Sequence, residues 1–511
     1  MKTVTSLASL ALVLPALAQG GSGGKPKCKK YVTSEALQEL ITLDDLLAGS
    51  QKLQDFADAH GGNRAFGSGG HNATVDWLYD TLDATGYYDV VKQPFVELFA
   101  SASAELTVGG KEIENRPMTY TPGGSGTGKL VYVEGFGCTA AEFPAEVKGN
   151  VVILSRGQCS FGSKAVNAKV AGVTTLLVYN NEPGMLSGTL GDPYLDYAPA
   201  LGITQEDGQA IVASLKAGEE VAVEVDVDAL VEDRVNYNVI AETKKGDHDN
   251  VLVLGGHSDS VPAGPGINDD GSGTIGVLNT ALALTKFRIK NAVRFAFWGA
   301  EEFGKLGSYY YVMQLNQSDT ELAKMRAYLN FDMIASPNYV YGIYDGDGSA
   351  FNFTGPAGSD VLEADFEEFY EANGQAHVPS LFTYRSDYAA FIENGIPSGG
   401  IFTGAEVLKT EEEAKLFGGE AGVAYDVNYH LVGDNMDNLN LEAYLLNAKS
   451  IAHTVAKYAM SWETLPPVDI KQRRSMPEQA EMIKRDHPSI HARGHGHSHA
   501  HKGPCGGADA A

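Results

Sequence analysis

The stretch VLVLGGHSDSVPAGPGINDDGSG, residues 251–273, decides how the chain is read. An apolar run ends at His257 and is followed by Asp259, Asp269 and Asp270 among glycines. A short apolar run bounded by turn residues predicts a buried strand. Acids placed directly after such a strand sit at the rim of a core, where a carboxylate is stable only if something of opposite charge meets it. The pattern recurs. AVRFAFWGAEEFG (292–304) closes on Glu301 and Glu302, AYLNFDMI (327–334) closes on Asp332, and VNYHLVGDNMDN (427–438) carries His430.

Between these runs lie segments with apolar residues at helical spacing: SGTIGVLNTALALTKF, GSYYYVMQL, VLEADFEEFYEANG and LEAYLLNAKSIAHTVAKYAM. Strands alternating with helices predict an α/β fold, a mostly parallel central sheet flanked by helices. Ligands of such sheets bind beyond the carboxyl ends of the strands, which is where the acids and His257 fall.

Working outward, 35–114 reads as the N-terminal part of the same domain. It has helical periodicity from Ser34 to about Thr85, then strand-like runs near 89–98 and 104–113. Residues 115–230 differ: short β-branched runs alternate with Gly and Pro turns, and one helix, SFGSKAVNAKVAGV, interrupts them. This predicts an inserted β-rich module, with the main domain resuming over 231–462. The remainder, 463–511, is polar and holds six of the 13 histidines, and it is expected to be a disordered tail with at most weak metal capture.

The first residues, MKTVTSLASLALVLPALAQG, have the charged start, apolar stretch and small-residue site of a secretory signal peptide over 1–18. Release from the cell is therefore expected, with a vacuolar lumen as the alternative. Four cysteines suit that compartment. Cys138 and Cys159 flank one strand and form the expected pair, whereas Cys28 and Cys505 stay open. Asn72, Asn316 and Asn352 head glycosylation sequons. A net charge of −27 argues against nucleic acid or an anionic membrane as partner.

Carboxylates converging on one sheet edge repel one another, and divalent metal resolves this; two ions suit so many acids. Histidine and carboxylate donors without cysteine favour zinc. Of the adjacent Glu301 and Glu302, one is expected to bind metal and the other to take a proton from water. Asp259, two residues past His257, is placed to hold the second imidazole nitrogen.

Taken in order, GGHSDSV…GINDDGSG, FWGAEEFGKLGS, NFDMI and YH resemble the secreted di-zinc aminopeptidases, the family of aminopeptidase Y and the fungal leucine aminopeptidases. EVKGNVVILSRGQCSFGSKAVNAKVAGVTTLLVYNN resembles the protease-associated domain inserted in many members. The resemblance covers roughly residues 35–460. It implies two Zn2+ per chain: His257 and Asp332 on one, Glu302 and His430 on the other, and Asp269 bridging. Glu301 is then the general base, Asp259 orients His257, Asp270 is a neighbour, and Tyr384 is a candidate donor to the tetrahedral intermediate. The implied substrates are peptides with a free N-terminus, cut by a monomer. The competing readings are a carboxypeptidase or glutaminyl cyclase of the same superfamily, an inactive receptor-like relative, and a metal-scavenging protein that works through its tail.

Overall fold

The computed structural model describes residues 29–471 and Arg473. The expected signal peptide, Cys28, Cys505 and the His-rich part of the tail lie outside these residues.

Four parallel strands form the centre, in the spatial order Asn291–Trp298, Asp247–His257, Met325–Phe331, Ser398–Phe402. Their continuous apolar runs follow from burial on both faces. Leu252 and Leu254 enter one core, while Val251 and Val253 enter the other. Likewise Val293, Phe295 and Phe297 face the first core, and Ala292, Ala296 and Trp298 the second. The first core is closed by the helices Gly271–Leu284 and Leu441–Tyr458, and the second by Leu306–Leu315 and Tyr388–Ile392. Both flanks turn antiparallel: Gly342–Tyr344 pairs with Ser398–Phe402, and Ala222–Thr243 pairs with Asn291–Trp298.

The strand Ala222–Thr243 also pairs along its length with Tyr88–Val108, from Tyr88↔Thr243 to Val108↔Val223. This ribbon runs out of the central sheet, and its far end pairs with Gly124–Tyr132. From there Val151–Ser155, Thr175–Tyr179 and Ala200–Ile203 continue in parallel, so one hydrogen-bonded ladder passes through both halves of the molecule.

Three expectations change. The run near 89–98 and the start of that near 104–113 are one strand, Tyr88–Val108, because the small residues Ser101–Ala102–Ser103 that read as a break keep their backbone pairing to 228–230; beyond it a turn at Gly109–Gly110 folds Lys111–Glu112 back onto Thr107 and Val108. Leu106 and Val108 consequently pack with Leu130, Val151 and Val225, a core that starts before residue 115. The insert holds a second helix, Gln205–Lys216, capped by Thr204 and burying Ile211 and Val212. Order also persists past residue 462: Leu465 enters the first core, Ile470 packs on the second, and Arg473 donates to the Leu322 carbonyl. No helix of the described residues is long and apolar enough to cross a membrane.

Cys138 and Cys159 are bonded across a separation of 21 residues. Replacing both with Ser is expected to cost about 3 kcal/mol in the chain-entropy account. Denaturant unfolding of the two proteins measures the loss, and a non-reducing peptide map should recover the linked pair.

Candidate metal centre

In the parallel register Trp298 lies opposite His257, and Asn330 opposite Gly255, so three adjacent strands end at one level. The turns leaving them carry the acids. The turn after His257 is held by Arg64, which is fully buried and donates to the carbonyls of Ser258, Pro265 and Gly266. Asp270 caps the helix Gly271–Leu284 and accepts three backbone N–H groups, those of His257, Gly273 and Met333, while also lying with His257 and Asp332 in a group whose donor atoms are close enough to hold a metal. The glycines beside it are required by close approach. A Cβ on Gly256 would stand 2.3 Å from Asp270 Oδ2, and one on Gly273 would stand 2.0 Å from the Phe331 carbonyl.

Asp269 is the centre of the arrangement. His257 Nε2 lies 3.1 Å from its Oδ1, and His430 Nε2 lies 3.2 Å from its Oδ2. Asp332 Oδ1 is 3.6 Å from His257 Nε2, and Glu302 Oε2 is 2.9 Å from His430 Nε2. The structure thus brings His257, Asp269, Glu302, Asp332 and His430 together as two groups sharing one carboxylate. Glu301 and Asp259 join through the Glu301 N–H, which donates to Asp259 Oδ1 at 3.0 Å.

Two details differ from the sequence reading. Glu301 and Glu302 stand not at the end of the strand Asn291–Trp298 but in a turn beyond it, between Ala300 and Lys305, both at positive φ. His257 Nδ1 meets the backbone carbonyl of Asp259 at 3.1 Å, while the nearer carboxylate oxygen stands at 3.7 Å. Met333, Tyr384 and His430 also hold positive φ, a concentration of uncommon backbone conformations typical of functional sites.

The electrostatics describe a site short of positive charge. Burial opposes the charged form of His430, but Glu302 and Asp269 outweigh it and hold its pKa at about 11. Burial likewise opposes His257, and Asp332 and Asp269 hold it well above the usual imidazole value. Burial, aided by Asp269, pushes Glu302 up to about 7. Burial also pushes Glu301 well above the carboxylate range, with Asp387 and Glu302 adding to it.

Sequence reasoning passed over Arg64, Ser386 and Asp434. Ser386 Oγ donates to Asp332 Oδ2 at 2.5 Å. Arg64 sits in NRAF and Asp434 in GDN, both ordinary turn compositions, and only the proximity of Asp434 to His430 offered a signal. Asn72 and Asn352 are exposed, whereas the Asn316 side-chain amide is engaged with Asn394. Tyr384 is buried with its ring 5.8 Å from that of Phe353.

Residues 238–455 match the model of peptidase family M28, and 126–211 that of the PA domain. Leucine aminopeptidase 2 of Arthroderma otae is 52% identical over 467 residues, covering 90% of this chain and 94% of the relative. The chain belongs to peptidase family M28. A probable leucine aminopeptidase 2 of Aspergillus fumigatus is also 52% identical, over 96% of this chain and 97% of that one. Among solved M28-like folds, an aminopeptidase from an Aneurinibacillus strain superposes with a TM-score of 0.59 at 26% identity, covering 86% of this chain and 97% of that one. A zinc aminopeptidase from Bacillus subtilis shares the fold, with a TM-score of 0.58 at 22% identity over 84% and 98% of the two chains.

The donors of this M28 chain fit zinc. They are imidazole and carboxylate without thiolate. Glu302 Oε1 is buried without a hydrogen-bond partner, as a donor kept for a cation would be. Another acidic group, Asp345, Asp347 and Glu363, has backbone N–H groups on Asp345, Asp347 and Glu363 oxygens, and it closes its own loop.

Proposed function

We propose that this zinc-dependent M28 peptidase is an aminopeptidase that removes the N-terminal residue of peptides, with two zinc ions and Glu301 as general base. The observation that carries the reading is Asp269, whose two carboxylate oxygens each face a different histidine. His257 and Asp332 would hold one ion, Glu302 and His430 the other, and Asp269 both. Bound zinc supplies Lewis acidity, which polarises a carbonyl and eases the deprotonation of water.

The chain's own residues do the rest. The Asp259 carboxylate accepts the Glu301 N–H and so fixes that backbone, while the Asp259 carbonyl sets the tautomer and tilt of His257. Glu301, buried and with its proton affinity raised, suits a group that takes a proton from water and returns it to the leaving amine. The surrounding acids favour a positively charged α-amine and disfavour a carboxylate terminus, which supports amino- over carboxypeptidase action.

Purified protein is expected to hold two zinc ions per chain and to lose hydrolysis of aminoacyl p-nitroanilides when chelated. Full activity of the metal-free protein would overturn the reading.

We further infer release from the cell, with glycans at Asn72 and Asn352. The N-terminal segment, the Cys138–Cys159 bond and the exposure of those two asparagines support this. Glycosidase treatment followed by intact mass checks the sugars.

A further inference from the structure

We propose that Asp434 is a positioning residue that fixes the shared carboxylate of Asp269 relative to His430; the inference rests on the zinc reading above. Asp434 is only 2% exposed. A buried carboxylate is costly unless its oxygens are satisfied, so what satisfies it is informative. Its Oδ1 accepts the Asn268 N–H at 2.8 Å, and its Oδ2 accepts the Asp269 N–H at 3.0 Å. Asn438 Nδ2 donates to Oδ1 at 3.0 Å, and the Asp434 carbonyl accepts the Ile267 N–H at 3.1 Å. The residue therefore grips 267–269 through three consecutive N–H groups, although it lies 165 positions away along the chain.

Two successive N–H groups forked onto one carboxylate fix the peptide plane between them. That plane sets the direction in which the Asp269 side chain leaves the backbone. At its own end, Asp434 stands four residues past His430, and its N–H closes a turn onto the Leu431 carbonyl. Asp434 thus ties the segment supplying His430 to the backbone of the segment supplying the shared carboxylate. A shared donor must serve two centres at once and tolerates little displacement, on the order of 0.5 Å for a working constellation. Asn in place of Asp434 would turn an N–H2 group toward one of the two backbone N–H donors and release that half of the grip.

A purely structural role makes a different forecast, and Asp426 separates the two. Asp426 belongs to the same buried network, taking the side-chain amides of Asn268 at 2.7 Å and Asn438 at 2.9 Å, without touching the Asn268 or Asp269 backbone N–H. Zinc content after equilibration with graded chelator is to be measured for the wild type, Asp434→Asn and Asp426→Asn, together with the melting temperatures of the metal-free forms. Asp434→Asn is expected to retain zinc about tenfold or more less tightly. Asp426→Asn should keep wild-type retention whatever it does to melting. Wild-type retention by Asp434→Asn, or an equal loss in Asp426→Asn, overturns the proposal. If Asp434→Asn does not fold, Asp434→Glu decides. It keeps charge and both acceptors but displaces them by one methylene, so weakened retention supports the proposal and unchanged retention overturns it. A wild-type protein that holds no zinc would instead overturn the zinc reading.

Discussion

Glu301→Gln is expected to lower kcat by about 10² or more while zinc content and melting temperature stay at wild-type values. The substitution keeps the shape of the side chain and removes its capacity to take a proton. KM should change little, because the proton transfer belongs to the transition state. Glu302→Gln should behave differently. Its Oε2 lies 2.9 Å from His430 Nε2, and its other oxygen is buried without a partner. Neutralising it removes donor charge, so zinc retention should weaken by about tenfold or more, and turnover should recover at high added zinc. Metal analysis and kinetics on the two variants separate the roles. The opposite pattern, zinc lost in Glu301→Gln and kept in Glu302→Gln, would exchange the assignments.

Acetylating the substrate's N-terminus is expected to reduce kcat/KM by about a hundredfold or more. The site concentrates acids, and a free α-amine brings positive charge to them. An acetyl cap removes that charge and adds bulk at the amine. A loss of about 3 kcal/mol of contact made in the transition state already gives that factor, since each 1.4 kcal/mol is tenfold. Leu-p-nitroanilide and its N-acetyl form provide the comparison. Equal rates would point to endopeptidase action, and preference for a free carboxyl end to a carboxypeptidase.

The central strands and the acids at their ends were legible because a strand buried on both faces must be apolar throughout. A polar cluster at the end of such a run therefore stands out, as at His257 and Asp332. The inserted module was legible as a change of composition, but its attachment was not. Ser101–Ala102–Ser103 carry no apolar signal, and their place in a strand is decided by partners at 228–230, more than a hundred residues away. For the same reason Arg64 and Asp434 were silent: a buried arginine on three carbonyls and a buried aspartate on two N–H groups are made by tertiary contacts alone. Near the chain's described end, Leu465 and Ile470 were two apolar residues in a polar stretch, too few to set a period yet enough to dock.

The ribbon gives the insert a mounting unlike a flexible tether. Its two strands are cross-linked by backbone hydrogen bonds from the central sheet to the far ladder. Midway along the ribbon Phe99, opposite Glu232, packs on Phe66 and Phe303, the residue directly after Glu302, with the Arg234 guanidinium stacked on Phe99 at 3.7 Å. Such a cantilever has no swivel. Tilting the insert must either shear the ladder or disturb the aromatic cluster packed on the ribbon's flank, and that cluster adjoins the turn that carries Glu301 and Glu302. The arm and the turn carrying Glu301 and Glu302 thus share one packed apolar cluster, so the insert is braced beside the candidate site and not merely hung from the central sheet.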